Sequence, residues 1–207
     1  MLSRRNLLMA APLLMAAGLF AVPARAQSAD AARAFIARLA DQAIAIAAAK
    51  NTSPVEQEKR FRELFVIAFD LPEISKFVLG RHWRTASEQQ RQQFLALFEE
   101  LTVLTWAKRF RDYSGETFVT GEARPDGEGR AIVESQVNRR SAPPIPVIWR
   151  VASGGAGWKI TDIVVEGVSM AITYRSDYTA AMNASGGKID GLLEQMRAKV
   201  ADLRSRA

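Results

Sequence analysis

Few side chains in this sequence are suited to acid–base or nucleophilic chemistry. Histidine is the side chain best placed for proton transfer near neutral pH, and the chain has one, His82, within LGRHWR. No carboxylate lies close to it in the sequence, which favours a structural or surface role. Without cysteine there is no thiolate nucleophile, and a single histidine excludes the common zinc motifs. No P-loop, dinucleotide fingerprint or G-x-S-x-G motif is present, so we expect no metal and no cofactor.

Two carboxylates are the remaining catalytic option. Asp162 and Glu166 are four residues apart at the end of an apolar segment. A carboxylate in apolar surroundings can have a raised pKa and act as a general base, as in small cone-shaped α+β isomerases. The simpler interpretation is that both residues bond backbone amides or arginines at a tight strand-to-helix junction. We prefer this second interpretation and expect no enzyme, while an isomerase or hydrolase that uses Asp162 or Glu166 is the alternative.

Residues 1–26 have the three parts of a secretory signal peptide. A basic start is followed by an apolar run and by Ala24 and Ala26 at the A-x-A positions, which predicts cleavage after Ala26. The pair of arginines before the apolar run is compatible with either the Sec or the twin-arginine export route. We expect an exported protein whose mature chain forms a single domain over residues 27–207.

Charge gives little support to nucleic-acid binding. The formal net charge of the whole chain is +6, and loss of Arg4, Arg5 and Arg25 with the signal peptide lowers it to +3. The remaining arginines and lysines are interspersed with acidic residues, as in KRFRE, which is typical of a solvated helix face. We therefore expect no nucleic-acid partner.

The order of apolar and turn-forming residues predicts helices, then a sheet, then helices. Apolar spacing and capping residues predict helices at about 29–50, 53–68, 72–79, 87–113 and 169–184, and one more after 187. Four strand-like runs lie between the helical blocks, at 117–123, 130–138, 145–153 and 157–165. Their connections are too short for crossover helices. The predicted fold is α+β, a four-stranded antiparallel meander sheet covered by about six helices.

The long helix at 87–113 and the third strand both present apolar and aromatic side chains to the interior. Such stripes are most often ordinary core packing, which would suit an envelope adaptor with a solid interior. The same layers could instead enclose a cavity, and an apolar cavity is a ligand site. The residue pattern alone leaves both interpretations open.

Several ordered motifs together resemble one protein family. They are FVLGRHWRTASEQQRQQFLALFEELTVLTWAKRFRDYSGE, then GWKITDIVVEGVSMAITYRSDY, and finally GGKIDGLLEQM. From about residue 35 to 203, the chain is similar to the MlaC, or toluene-tolerance, family of periplasmic phospholipid-binding proteins.

The resemblance implies a soluble periplasmic carrier. It would move phospholipids between an outer-membrane lipoprotein complex and an inner-membrane ABC transporter complex that includes an MCE-domain protein, supporting outer-membrane lipid asymmetry and solvent tolerance. The acyl chains would enter an apolar pocket between sheet and helices, and the carrier is expected to be a monomer. A hopanoid-linked lipid-binding homologue is the alternative within the family.

The resemblance also implies which side chains contact the lipid. We expect the acyl-chain pocket to be lined by Phe77, Phe94, Phe98, Leu101, Val147, Trp149, Val151, Val165, Val168, Met170 and Ile172. Arg81, Arg84 and Arg175 are candidates for partner docking or headgroup contact, or for salt bridges at junctions.

Overall fold

Apolar residues at three- and four-residue spacing form helices that cover one face of a sheet. The computed structural model describes residues 24–49, 51–155 and 157–206, and residues 1–23 of the predicted signal peptide lie outside this part. The described residues form seven helices: α1 (Ala24–Ala48), α2 (Pro54–Ala68), α3 (Leu71–Leu79), α4 (Arg81–Thr85), α5 (Glu88–Arg111), α6 (Met170–Ala184) and α7 (Ile189–Ser205). None of these helices is long and apolar enough to cross a membrane.

Local capping signals fix where two of the helices begin. The Ser53 hydroxyl accepts a hydrogen bond from the Glu56 amide at 3.2 Å, and Pro54 then opens α2. Before α5, the Ser87 hydroxyl accepts from the Gln90 amide, and the Gln90 side chain accepts from the Ser87 amide in return. Both helix starts are confirmed where the sequence predicted them.

The prediction of about six helices is wrong by one, because the sequence pattern does not reveal α4. Gly80 has a φ angle of 55°, which glycine adopts without steric cost, and it ends α3. The chain then makes one further helical turn, and Ala86 returns to extended backbone. The 5 residues of α4 are too few to show a helical period.

The described residues contain five strands, which form one antiparallel sheet in chain order: β1 (Thr117–Pro125), β2 (Arg130–Arg139), β3 (Ala142–Gly154), β4 (Gly157–Val165) and β5 (Val168–Ser169). The predicted α+β fold and antiparallel meander are confirmed, but the prediction of four strands is wrong. The short β5 returns from β4 through Glu166 and Gly167, whose φ angles are 50° and 83°. Two positive φ angles in a two-residue loop are typical of a type I′ hairpin turn.

Two hydrophobic clusters form the core. The helical core joins buried side chains from the α-helical side of the molecule, among them Phe65, Val78, Phe94, Met182, Leu192, Leu193 and Met196. The sheet core joins α1 and the end of α2 to the inner face of the sheet, through Ala32, Ile36, Ala68, Ala131, Val133, Val151 and Ile160. Phe69 packs against both clusters and links them.

An ion-pair network ties α7 to α2 and α5. Arg62 contacts Glu99 at 2.8 Å and Glu100 at 2.6 Å. Arg204 contacts Glu58 at 3.0 Å and also contacts Glu100. Burial acts to raise the pKa of Glu100, but hydrogen bonds from Arg204 and Arg62 outweigh it and hold that pKa below its ordinary value. The network therefore fixes three helices that enclose the helical core.

The connection between α2 and α3 is anchored on the sheet. The Asp70 amide donates to the Ile160 carbonyl of β4 at 2.9 Å. The Lys159 ammonium donates to the carbonyls of Val66 and Ile67 at the end of α2. A cation near the C-terminus of a helix is favourable because it meets unsatisfied carbonyls and the negative end of the helix dipole. These bonds hold the helical layer over β4.

Candidate ligand-binding cavity

An apolar cavity of about 680 Å³ lies between the inner face of the sheet and the helices. Its helical side is lined mainly by Leu39, Ala40, Ala43, Ile44, Ala47, Phe61, Leu64, Phe65, Phe98, Thr102, Trp106 and Tyr174. Its sheet side is lined mainly by Phe118, Val137, Ile145, Val147, Trp149, Ile163 and Val165. Aliphatic and aromatic groups thus form most of both walls.

One face of α5 borders the cavity over several turns. Phe98, Thr102, Trp106 and Arg109 are three or four residues apart, which places them on the same side of the helix. The Phe98 ring meets the Tyr174 ring edge-on, with 5.7 Å between centroids, and the Trp106 indole N–H donates to the Tyr174 hydroxyl at 3.2 Å. Because its donor is satisfied, the Trp106 ring is available as apolar wall.

The wall contributed by α1 is built largely from small side chains. Ala40, Ala43 and Ala47 face the cavity together with Leu39 and Ile44. A methyl side chain fills far less volume than the leucine or phenylalanine of a close-packed interior, so space remains between α1 and the sheet. The sequence indicates Leu39 and Ala43 on the apolar face of a helix, but it does not indicate that this face borders a cavity.

Alternate residues of β3 and β4 form the opposite wall. Val147 pairs with Val165 and Trp149 pairs with Ile163, so these four side chains stand on the same face of the sheet. The Trp149 indole N–H donates to the Ser135 hydroxyl oxygen at 2.8 Å, which leaves its ring free to form wall.

The cavity has a closed end and an open end. Two residues beyond Trp149 on β3, Val151 is only 1% exposed within the sheet core, which closes the cavity there. In the other direction the wall continues through Val147 to Ile145, toward the turn between β2 and β3. The four-residue step between Trp149 and Ile145 corresponds to roughly 13 Å of strand.

Charged side chains gather at the open end. Thr117, at the start of β1, pairs with Asn138, the residue before Arg139 at the end of β2. The segment from Arg109 to Glu116 leads from α5 into β1, so it arrives at the same edge of the sheet. We call the four charged residues that line the cavity here the charged mouth: Arg109, Asp112, Glu116 and Arg139. The sequence pattern does not reveal any of them, because charged residues in a helix end, a loop and a strand end are usually solvated.

Asp162 also lines the cavity, but its carboxylate holds a helix terminus. One carboxylate oxygen accepts from the Ser169 hydroxyl at 2.7 Å, and the other accepts from the Ala171 amide at 2.9 Å. Ser169 itself caps α6 by accepting from the Ile172 amide. The interpretation of Asp162 as a residue that bonds a backbone amide at the junction is confirmed. Glu166 is exposed in the adjacent hairpin turn and does not line the cavity.

His82 lies on α4 and does not line the cavity. The Arg81 guanidinium donates to its imidazole at 3.4 Å, and Arg81 and Arg84 are themselves exposed. Among the described residues, no group of three or more histidine, cysteine, aspartate and glutamate side chains is arranged to hold a metal ion.

The structure brings four of the predicted acyl-chain residues to the cavity: Phe98, Val147, Trp149 and Val165. Phe94 and Leu101 pack in the helical core instead, and Val151 lies in the sheet core. Phe94 is on the same apolar stripe of α5 as Phe98, but the space beside it is filled by Tyr178, whose ring lies 5.3 Å away. Contact between the four cavity residues and acyl chains stays a prediction.

The remaining predicted residues lie outside the cavity, with Phe77 on α3, Val168 on β5, and Met170 and Ile172 on α6. Phe77, Val168 and Ile172 are 40%, 53% and 63% exposed, and Met170 is half-buried outside the cavity lining. On α6 the residues that line the cavity are Ala171 and Tyr174, so Met170 and Ile172 lie on other sides of the helix. Arg175 lies over the Phe77 ring, with its guanidinium carbon 4.9 Å from the centroid.

Sequence comparison decides the family. A family model described as MlaC protein matches residues 37–198. The chain belongs to the MlaC family. Over 139 residues, this MlaC-family chain is 23% identical to toluene tolerance protein ttg2D of Pseudomonas putida, and the alignment covers 67% of this chain and 65% of that protein. Over 157 residues it is 26% identical to the intermembrane phospholipid transport system binding protein MlaC of Haemophilus influenzae, covering 71% and 72%.

A solved structure has the same fold as this MlaC-family chain. The phospholipid-binding protein from Ralstonia solanacearum, determined in complex with a phospholipid, superposes with a TM-score of 0.75. The match covers 84% of this chain and 98% of that chain at 22% identity. The likeness shows that the two chains share a fold.

Proposed function

We propose that this MlaC-family protein is a periplasmic phospholipid carrier whose cavity holds the acyl chains. The observation that carries the proposal is the cavity of about 680 Å³, bordered mostly by apolar side chains and open at one charged end. Its volume lies within the range of roughly 300–1,000 Å³ that is usual for ligand sites. The name of the H. influenzae relative and the phospholipid in the R. solanacearum structure support the same ligand class.

The energetics of lipid transfer explain why such a cavity would be needed. Burial of a methylene group contributes about 0.8 kcal/mol, so two chains of roughly fifteen methylenes lose on the order of 20 kcal/mol when exposed to water. Unassisted transfer through the aqueous periplasm would therefore be slow. A carrier must replace most of that burial and still release the lipid, which suits a cavity that is apolar within and open at one end.

The proposal extends to the cellular setting. Residues 1–26 direct export and are cleaved, and residues 27–207 form the mature single lipid-binding domain. The protein works as a monomer that exchanges phospholipid with an outer-membrane lipoprotein complex and with an inner-membrane ABC transporter complex that includes an MCE-domain protein. It is not an enzyme in this proposal, because the carboxylate of Asp162 is engaged by Ser169 and Ala171.

The direct test is to purify the exported protein without detergent, record native mass spectra and identify lipids in an organic extract. We expect a mass increment that matches phospholipid and disappears on denaturation. Recovery of folded protein that never carries lipid, even after incubation with phospholipid vesicles, would refute the carrier function. A hopanoid in place of phospholipid would favour the hopanoid-linked branch of the family.

A filled-cavity variant tests whether the cavity is the lipid site. Ala43→Trp places an indole where α1 has a methyl group, so we expect bound lipid to fall several-fold in the same mass spectra. Ala31→Trp is the matched control, because Ala31 is exposed on the same helix and does not line the cavity. Equal lipid loading of both variants, each with a native circular dichroism spectrum, would place the lipid elsewhere.

A further inference from the structure

The charged mouth carries both signs of charge at the point where the cavity opens. Arg109 and Arg139 supply two cations, and Asp112 and Glu116 supply two anions. Arg109, Asp112 and Arg139 are exposed and Glu116 is half-buried, so all four remain accessible to a polar group at the cavity opening. The fifth charged residue of the lining, Asp162, holds the start of α6 and has a side chain that is only 11% exposed, so it is not accessible in the same way.

Local contacts hold the two arginines in place. The Arg139 guanidinium donates twice to the Pro143 carbonyl, at 3.1 Å and 2.7 Å, which fixes it at the turn between β2 and β3. The Arg109 guanidinium carbon lies 5.2 Å from the Trp106 ring centroid, so this cation rests on the aromatic wall of the cavity. A guanidinium held this way loses less side-chain entropy when it binds a phosphate oxygen.

The Glu116 carboxylate is held by the loop between α5 and β1. The Ser114 hydroxyl and amide donate to the two carboxylate oxygens of Glu116, at 2.7 Å and 2.9 Å, and these bonds hold the pKa of Glu116 below its ordinary value. Glu116 is therefore ionised at neutral pH. The Arg140 guanidinium covers Gly115, 3.2 Å from the position that a Cβ atom would take, which brings this loop against the β2–β3 turn.

We propose that the charged mouth selects zwitterionic phospholipids with a primary ammonium group, as in phosphatidylethanolamine. The phosphate would be bound by Arg109 and Arg139 and the ammonium by Asp112 and Glu116, with the acyl chains directed toward Trp149. This inference rests on the carrier function proposed above and adds the headgroup class to it.

Charge matching separates the common headgroups. A phosphatidylglycerol headgroup can place its phosphate on the two arginines. It leaves the two carboxylates facing an uncharged glycerol group and the phosphate anion. A choline headgroup supplies a cation without N–H donors, so it cannot hydrogen-bond the carboxylates. An ethanolamine headgroup meets both requirements, because its ammonium donates three hydrogen bonds.

The test is a competition among headgroups. The exported protein is stripped of lipid, incubated with vesicles of equimolar phosphatidylethanolamine, phosphatidylcholine and phosphatidylglycerol with identical acyl chains, reisolated and measured by native mass spectrometry. We expect phosphatidylethanolamine to be enriched over phosphatidylglycerol about two- to fivefold, the range that exposed ion pairs provide. Bound lipid in the input ratio would overturn the headgroup inference and leave the carrier function intact, whereas no bound lipid would refute both.

Variants assign the preference to the mouth. Asp112→Asn and the double variant Asp112→Asn with Glu116→Gln should move the bound lipid toward the input ratio while total loading is kept. Glu122→Gln is the matched control, because Glu122 is exposed on β1 and does not line the cavity. If the double variant disrupts the loop between α5 and β1 because that loop needs Glu116, Asp112→Asn alone still tests the assignment. An unchanged enrichment in Asp112→Asn and in a folded double variant would contradict the assignment.

Discussion

Phe94 and Phe98 lie one turn apart on α5, where the filled helical core adjoins the cavity. Both belong to the helical core, but only Phe98 also borders the cavity. Phe94 is 0% exposed in the helical core, where Tyr178 fills the space beside its ring. Phe98 packs on Tyr174 and also borders the cavity. The two regions use the same kinds of side chain. What differs is the facing wall, because large residues of α6 and α7 meet the helical core, whereas the alanines of α1 meet the cavity.

The largest expected effect is a loss of stability when a large side chain is removed from the helical core. Phe94→Ala should lower the free energy of unfolding by about 3–5 kcal/mol, because it removes a buried ring and leaves a cavity in close-packed surroundings. Urea unfolding followed by circular dichroism measures this loss. A loss below about 1 kcal/mol would mean that the helical core is as loosely filled as the cavity region.

A smaller loss of stability is expected at the cavity, where unfilled space already exists. Ile163→Ala, on the sheet wall of the cavity, should cost about 2 kcal/mol, the low end for such a change, because little new cavity is created. The same urea titration applies, with lipid removed so that ligand binding does not add to stability. A cost equal to that of Phe94→Ala would show that the Ile163 site is filled in the lipid-free protein.

The smallest effect concerns the ion pairs around the helical core. Arg204→Gln should cost less than about 1 kcal/mol at neutral pH, since the arginine is partly exposed and Arg62 still pairs with Glu100. The pKa of Glu100 is lowered in the folded state, so its stabilisation is present above the ordinary value of 4.5 and is lost as the pH falls through the folded value. Urea midpoints at pH 7 and pH 4 should therefore differ less in the variant than in the wild type. An identical pH dependence in the variant and the wild type would show that Arg204 does not contribute to the lowered pKa of Glu100.

The sequence allowed prediction of those parts of the fold that depend on local signals. The caps at Ser53 and Ser87 work through contacts three residues away. The strands alternate apolar and polar residues, and the turns between them are too short for anything but antiparallel pairing. The single turn of α4 and the two-residue β5 were not predictable, because each is shorter than the period that would reveal it.

The candidate site was less predictable than the fold. The spacing of α5 selects Phe98, which borders the cavity, but it also selects Phe94, which does not, since both residues lie on one stripe. Whether a stripe meets a filled or an open space depends on the facing element. An alanine face on α1 signals close packing as readily as a cavity, and the charged mouth forms only when α5 and the β2–β3 turn meet.

The position of the tryptophans gives the protein an optical property. Of its four indoles, Trp106 and Trp149 border the cavity and Trp83 and Trp158 do not. Both cavity indoles have their N–H groups bonded within the protein. Ligand binding would therefore change the surroundings of the ring face that points toward the cavity. Replacement of water by hydrocarbon against these faces should shift their emission, which would make cargo exchange visible in real time without a label.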